Sequence, residues 1–134
     1  MTEIDRIRET FSRDRFATEA AGITIEEAGI QYARCGMAIQ PVHLNARGAV
    51  MGGAIFTLAD FTAAVAANGW KETPDVVTLN SSISFLSPAK GKMLIGEANC
   101  LKDGRSTCLY EVKITDELGT FVAHAAVNGF TVKK

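Results

Sequence analysis

Apolar residues run almost without interruption from Ala49 to Trp70, and this stretch sets the expectation for the rest of the chain. Its large side chains, such as Ile55 and Phe61, do not share one side of a helix, and a helix that is apolar on every face is buried. Gly52-Gly53 opens the segment, and Asn68-Gly69 closes it with the residue pair that favours a left-handed C-terminal cap. A helix of about 17 residues that carries a carboxylate is a poor membrane span. We therefore predict a central helix enclosed by the rest of the fold.

The segments on either side of this helix have the alternating, β-branched pattern of strands. One strand precedes the helix, with Gly29 and Gly36 as sites for a bulge or bend. Four strands follow it, and the tight turns between them predict an antiparallel meander. The predicted strands are Ile23 to Pro41, Val76 to Leu86, Met93 to Lys102, Ser106 to Asp116 and Phe121 to Val132.

The first residues carry a different pattern. Ile4, Ile7 and Phe11 recur at helical spacing among charges, which predicts a short amphipathic helix from Thr2 to Ser12. A second helical turn is expected from Asp14 to Ala21, and no chemistry is assigned to either segment.

Together these elements predict one α+β domain over residues 1–134, with a helical segment at 1–22 and a core at 23–134. A five-stranded antiparallel sheet wrapped around one long apolar helix satisfies the burial demands of both. That arrangement is the hotdog fold.

Composition narrows the function without specifying it. The net charge is −1 and the isoelectric point is near 6.1, with basic residues scattered along the chain, which argues against a nucleic-acid surface. The charged N-terminus does not resemble a signal peptide, and three cysteines without metal-ligand spacing favour a reducing cytoplasm. Cys100 and Cys108 flank the turn at Asp103-Gly104, and a two-residue turn would point their thiols to opposite faces.

Asp60 is the candidate for chemistry, because it stands mid-helix with no Lys or Arg three or four residues away. It is either a structural carboxylate bonded to a neighbouring strand or subunit, or a general base or nucleophile in a cleft. Gly52 and Gly53 begin the helix, where free N–H groups can hold an oxyanion, although glycines there also permit close packing. Gly52 and Asp60 are about 12 Å apart along the axis, which is too far for both to reach one reacting carbon. Pairing of two subunits would remove this difficulty.

The residues from His43 to Gly53, followed by Leu58-Ala59-Asp60, carry a family resemblance. With Ser87-Pro88-Ala89 and the Asp103-Gly104-Arg105 turn, they resemble hotdog-fold acyl-CoA thioesterases of the phenylacetate-degradation type. The similarity runs from about Pro41 to the C-terminus. One position departs from the pattern, since Met51 stands where the family usually has His.

The resemblance implies a homodimer with shared active sites, and a tetramer built from two dimers. Gly52 and Asn45 of one subunit would meet Asp60 and Thr78 of its partner. Asp60 would act as general base or nucleophile, and the Gly52 N–H would hold the oxyanion. Asn45 would orient the groups, and Thr78 would position the water or the carboxylate. The implied substrates are aromatic (phenylacetyl-type) or medium-chain acyl-CoA thioesters.

Further residues are expected around the substrate. Gly53, Met51 and His43 are predicted to line its site, and Lys90 and Arg105 to face the coenzyme A phosphates together with Lys92 and Lys102, although basic residues at turns are also ordinary surface. No metal is expected, and coenzyme A enters only as part of the substrate.

Two other functions stay open. A hotdog enoyl-CoA hydratase or dehydratase would use His43 as its base, although its proline-containing pattern is missing here. A non-catalytic acyl-CoA binder is compatible with the Met51 replacement.

Overall fold

A computed structural model describes residues 1–132, so Lys133 and Lys134 at the end of the predicted domain lie outside the described residues. Two α-helices and six strands make up the fold, with a five-residue π-helical turn at Phe16–Ala20 and a 3₁₀ turn at Pro41–His43. The elements are α1 (Glu3–Phe11), β1 (Ile23–Gly29), β2 (Tyr32–Ala38), α2 (Gly52–Asn68), β3 (Val76–Phe85), β4 (Met93–Asp103), β5 (Thr107–Asp116) and β6 (Phe121–Thr131).

All six strands form one antiparallel sheet in the order β1-β2-β4-β5-β6-β3. The prediction of five strands is wrong by one, because the segment expected as a single first strand is a hairpin. The chain reverses at Ile30-Gln31, where Gln31 has a φ of 57°, and Gly29 then pairs with Tyr32. The two glycines of this segment suggested a bend, and the structure places a complete turn beside one of them.

Helix α2 lies against one face of the sheet and fills the core, as predicted. Leu58, Val65 and Ala66 are fully buried, and Phe61 packs edge-on against Phe11 of α1 with ring centroids 5.9 Å apart. Full burial of a Leu or Val side chain contributes about 1.5–3 kcal/mol, so this interface carries much of the fold's stability. Among residues 1–132 no helix is long and apolar enough to cross a membrane.

The end of α2 differs from the expected left-handed cap. Gly69 is right-handed, with φ −60° and ψ −37°, and its N–H donates to the Val65 carbonyl. The Asn68 side chain is buried and joins the helix end to β3 instead, since it accepts the N–H groups of Asp75 and Val76 and donates to the Val76 carbonyl.

The N-terminal segment covers the core from the other side. Arg8 donates two hydrogen bonds to the Ile25 carbonyl of β1, and Arg6 donates one to the Gly69 carbonyl beyond α2. In the following turn, Ala17 and Ala21 are buried while Phe16 stays largely exposed. This segment is therefore fixed to both the sheet and the helix.

The β4–β5 hairpin corrects the expectation for the cysteines. A bulge at Leu101 places Cys100 opposite Tyr110, and Tyr110 lies two residues from Cys108 on the same face of β5. The two thiols therefore share a face, because the extra residue shifts the register that a two-residue turn would give. Cys35, Cys100 and Cys108 are all free thiols.

Candidate active site

Asp60 and Thr78 meet in the structure. The Thr78 hydroxyl donates a 2.9 Å hydrogen bond to a carboxylate oxygen of Asp60, although the two residues come from different elements, α2 and β3. Asp60 is half-buried and Thr78 is exposed, so the carboxylate lies at the edge of the core with one side open. The structure thus brings Asp60 and Thr78 of one subunit together.

A β-bulge aims Thr78 at the helix. Thr78 pairs with Gly129 and Asn80 pairs with Asn128, so Leu79 is the extra residue on β3. Beyond the bulge, Ser81 faces α2 as Thr78 does. The two residues are three positions apart, and a regular strand would put them on opposite faces. The bulge thus creates the Thr78–Asp60 contact.

The start of α2 offers unsatisfied donors. Met51 at the N-cap provides no side-chain hydrogen bond, and its carbonyl receives the N–H groups of Ala54 and Ile55. Within residues 1–132, no acceptor receives the N–H of Gly52 or Gly53. Free donors at the positive end of a helix dipole are suited to a developing negative oxygen.

The two glycines differ in their surroundings. A Cβ on Gly52 would lie 3.1 Å from the Phe85 ring, so the missing side chain there admits the ring of β3. At Gly53 a Cβ would meet only the Met51 side chain, at 3.9 Å. Gly52 therefore has a packing reason for being glycine, whereas Gly53 leaves its backbone open to a ligand.

Asn45 organises the loop that leads into α2. Its side-chain oxygen accepts the N–H groups of Arg47 and Ala49, and its own N–H donates to the Ala49 carbonyl. Gly48 has a φ of 82°, a left-handed conformation that glycine adopts without strain. Asn45 thus holds the loop beside Gly52, and its side-chain oxygen is already engaged.

His43 is 4% exposed and both of its ring nitrogens have partners. Nδ1 accepts the N–H of Gln40 at 3.0 Å, and Nε2 lies 2.7 Å from the Ala21 carbonyl, which fixes Nε2 as the protonated nitrogen. The ring joins the N-terminal segment to the loop before α2. No ring nitrogen is left to exchange a proton with a substrate.

Asp14 is a second carboxylate near Asp60, and it belongs to no sequence motif. It lines the same cleft as Asp60, together with Arg15, Phe16 and Thr57. Partial loss of solvent around its carboxyl raises the pKa of Asp14, and the negative charge of Asp60 raises it further. No spacing signal joins residues so far apart in the chain, and the contact depends on how the 14–21 segment packs on α2.

The predicted basic rim is not assembled within one chain. Lys90 precedes β4 and Arg105 follows it, so the eleven residues of that strand separate them, roughly 33 Å at about 3.3 Å per residue. Lys90 lies at the end of the sheet that holds Gly52, whereas Arg105 lies at the end where β3 begins. The two cannot face one phosphate group in a single subunit.

Comparison with known proteins agrees with this architecture. The thioesterase superfamily matches residues 47–123. Human acyl-coenzyme A thioesterase 13 is 29% identical over 96 residues, covering 71% of this chain and 69% of that protein.

Two solved structures extend the similarity to nearly the whole chain. The Escherichia coli PaaI protein from the phenylacetic acid degradation operon superposes with a TM-score of 0.87 at 23% identity, covering 98% of this chain and 94% of that one. A Streptococcus pneumoniae protein described as a hypothetical thioesterase, solved with coenzyme A, gives 0.83 at 28% identity, with 92% and 98% coverage. The chain therefore belongs to the thioesterase superfamily and is a thioester hydrolase with the hotdog fold.

Proposed function

We propose that this protein hydrolyses acyl-CoA thioesters with aromatic (phenylacetyl-type) or medium-chain acyl groups, with Asp60 as the catalytic carboxylate. The single observation that carries the proposal is the open side of Asp60, whose other side is held by Thr78. A carboxylate fixed in this way can act on a ligand without first being oriented. The name of the human relative and the coenzyme A in the S. pneumoniae structure support an acyl-CoA substrate.

In the proposed reaction, water attacks the thioester carbon while Asp60 accepts its proton. The carbonyl oxygen becomes an oxyanion and accepts hydrogen bonds from the N–H groups at the helix N-terminus. One such donor stabilises the transition state by about 3 kcal/mol. The C–S bond then breaks, and the proton on Asp60 passes to the thiolate, giving free coenzyme A and a carboxylic acid that releases its proton to water. If Asp60 instead attacks the carbonyl itself, an acyl-Asp60 anhydride forms and water cleaves it. When water cleaves the anhydride at the Asp60 carboxyl carbon, a single turnover in ¹⁸O-labelled water reveals the nucleophilic route, because the first product then keeps ¹⁶O and the label enters Asp60.

The distance between Gly52 and Asp60 supports a site shared by two subunits. Thr78 lies near the start of β3 and Phe85, which touches Gly52, lies at its end. Antiparallel pairing of two β3 strands sets the start of one beside the end of the other. Asp60 would then face the partner's Gly52. The end of one sheet that carries Lys90 would lie beside the end of the partner's sheet that carries Arg105, and the reverse.

Strand β3 is suited to such pairing. It is an edge strand of ten residues without charge or proline, and Val77 and Leu79 are about half-exposed. The opposite edge, β1, carries Glu26 and Glu27. An exposed, uncharged edge is a site for strand addition, whereas charges on an edge oppose it. A homodimer through β3 follows, and by the family resemblance we extend the proposal to a tetramer of two dimers.

Three points of the proposal concern the setting. The protein acts in the cytoplasm, in keeping with three unpaired cysteines, one of which, Cys35, is a buried thiol whose pKa burial raises to about 12. It uses no cofactor and no metal, and coenzyme A takes part only as a portion of the substrate. Its partners are a second copy of the chain and the acyl-CoA.

Free-thiol release from a panel of acyl-CoA thioesters tests the proposal. Asp60→Asn should abolish hydrolysis of phenylacetyl-CoA and octanoyl-CoA, while light scattering shows the same assembly as the unaltered protein. Glu27→Gln, which removes a carboxylate on β1 at the opposite edge of the sheet from β3, is the control and should keep full activity. Turnover by Asp60→Asn at the unaltered rate would refute the assignment. Binding of acyl-CoA without turnover by the unaltered protein would favour the non-catalytic binder that Met51 allows.

A further inference from the structure

Two cavities lie next to each other along one side of α2. One, of about 430 Å³, is lined by Asp60 and Asp14, and the other, of about 300 Å³, is lined by Met51 and Gly53. Phe16 and Thr57 line both cavities, which are therefore direct neighbours, and we call the pair the α2 trough. Gly53, Thr57 and Asp60 follow each other at helical spacing, and the trough extends over roughly 10 Å at about 1.5 Å per residue.

The Met51 end of the trough is apolar and open. Phe16, Val42 and Met51 surround it and are 72%, 77% and 53% exposed. Exposed apolar side chains that converge on one cavity indicate a ligand site more than scattered ones do. The missing side chain of Gly53 leaves its floor unobstructed.

Phe16 is held in this exposed position by its own segment. The buried Ala17 and Ala21 fix the turn to the core, and the Ala21 N–H donates to the Phe16 carbonyl. His43 ties the end of the turn to the loop before α2 through the Ala21 carbonyl. The aromatic ring thus projects over the trough from a turn that is anchored on both sides.

We propose that Phe16 is a specificity-determining residue, whose ring contacts an apolar acyl group lying in the Met51 end of the α2 trough. This inference rests on the proposed function, since it takes the acyl-CoA as the ligand and Asp60 as the reacting end. The occupant is an acyl chain because the apolar end adjoins the cleft of that carboxylate, with Phe16 and Thr57 lining both. A volume of 300 Å³ corresponds to about ten water molecules at about 30 Å³ each, enough for a phenylacetyl or medium-chain group.

The test compares Phe16→Ala with the unaltered protein on acetyl-CoA and octanoyl-CoA. The kcat/KM ratio of octanoyl to acetyl should fall at least tenfold, chiefly through KM for octanoyl-CoA. Phe16→Leu retains an apolar side chain and should fall in between. Phe121→Ala is the matched control, because that exposed ring lies on β6 against His124, away from the trough, and its ratio should not change.

Calorimetry with non-hydrolysable thioether analogues of the same two acyl-CoAs separates this inference from the proposed function. If the unaltered protein binds the octanoyl analogue more tightly and Phe16→Ala loses that preference, the inference holds even without turnover. An unchanged preference in Phe16→Ala would overturn it. A changed molar mass of Phe16→Ala in light scattering would also overturn it, because Phe16 would then be a subunit contact.

Discussion

Replacing Thr78 by Val should lower kcat/KM about tenfold. The substitution keeps the β-branched shape and removes the hydroxyl, which donates a 2.9 Å hydrogen bond to the Asp60 carboxylate. A hydrogen bond to a charged group contributes about 1.5–3 kcal/mol, and the lower end applies here because Thr78 is exposed and water can replace part of the interaction. Since 1.36 kcal/mol corresponds to about a factor of ten in rate, the loss amounts to roughly one order of magnitude.

Thr78→Ser is the matched variant, because it keeps the hydroxyl and removes only a methyl group. Free-thiol release from octanoyl-CoA over a range of concentrations gives kcat and KM separately. If the hydroxyl orients the carboxylate for the chemical step, Thr78→Val loses kcat and Thr78→Ser stays within about threefold of the unaltered protein. Equal losses in both variants would show that the methyl packing matters and the hydroxyl does not. Full activity of Thr78→Val would refute the positioning role.

Three further predictions concern titration and stability. Because the pKa of Asp14 is raised, folding favours its protonated form, and its ionisation destabilises the protein as pH rises above about 3.9. Asp14→Asn should therefore have a higher Tm than the unaltered protein at pH 7 and lose that advantage below pH 3. A Tm advantage that persists below pH 3 would contradict this. His43→Ala leaves the Gln40 N–H and the Ala21 carbonyl without their partner, so the free energy of unfolding measured in urea should fall by on the order of 1–3 kcal/mol. The folded fraction should still hydrolyse thioesters. Enoyl-CoA hydration that is lost in His43→Ala would instead favour the dehydratase. Burial alone would raise the pKa of Asp116, but N–H donors from Lys90, Thr120 and Gly91 lower that pKa well below its ordinary value. The stability that the ionised Asp116 supplies is present above about pH 3.9 and is lost as pH falls toward the lowered pKa. Asp116→Asn should therefore lower Tm at pH 7 and flatten the acid side of the Tm profile.

The central helix could be predicted because its evidence is local and strong. A run that is apolar on all faces permits burial on all faces, and the structure places α2 in the core. The hairpin at Ile30-Gln31 could not be predicted in the same way. Neither residue is a typical turn former, and Gln31 adopts a positive φ that its side chain only tolerates because the strands on both sides pair. A local pattern cannot contain that contribution from tertiary structure.

The two β-bulges are a second feature that could not be predicted from the sequence. Leu79 and Leu101 look like ordinary strand residues, yet each is the extra residue that shifts the register of its strand. One shift brings Thr78 to the helix side, and the other brings Cys100 to the face of Cys108. The partnership of Thr78 with Asp60 came from the family resemblance, since simple alternation along β3 would not have placed Thr78 on the same face as Ser81.

The site itself divides along the same line. Asp60 and the glycine pair could be found from sequence because a lone acid and two adjacent glycines are unusual in an apolar helix. Asp14 and Phe16 could not, because their segment has no pattern that relates it to α2. Their position depends on the buried Ala17 and Ala21 and on the His43 bridge. The residues that we propose for the reaction are thus conspicuous in the sequence, whereas the proposed role of Phe16 depends on packing between distant segments. Phe16→Ala should therefore keep the stability of the unaltered protein while changing acyl preference.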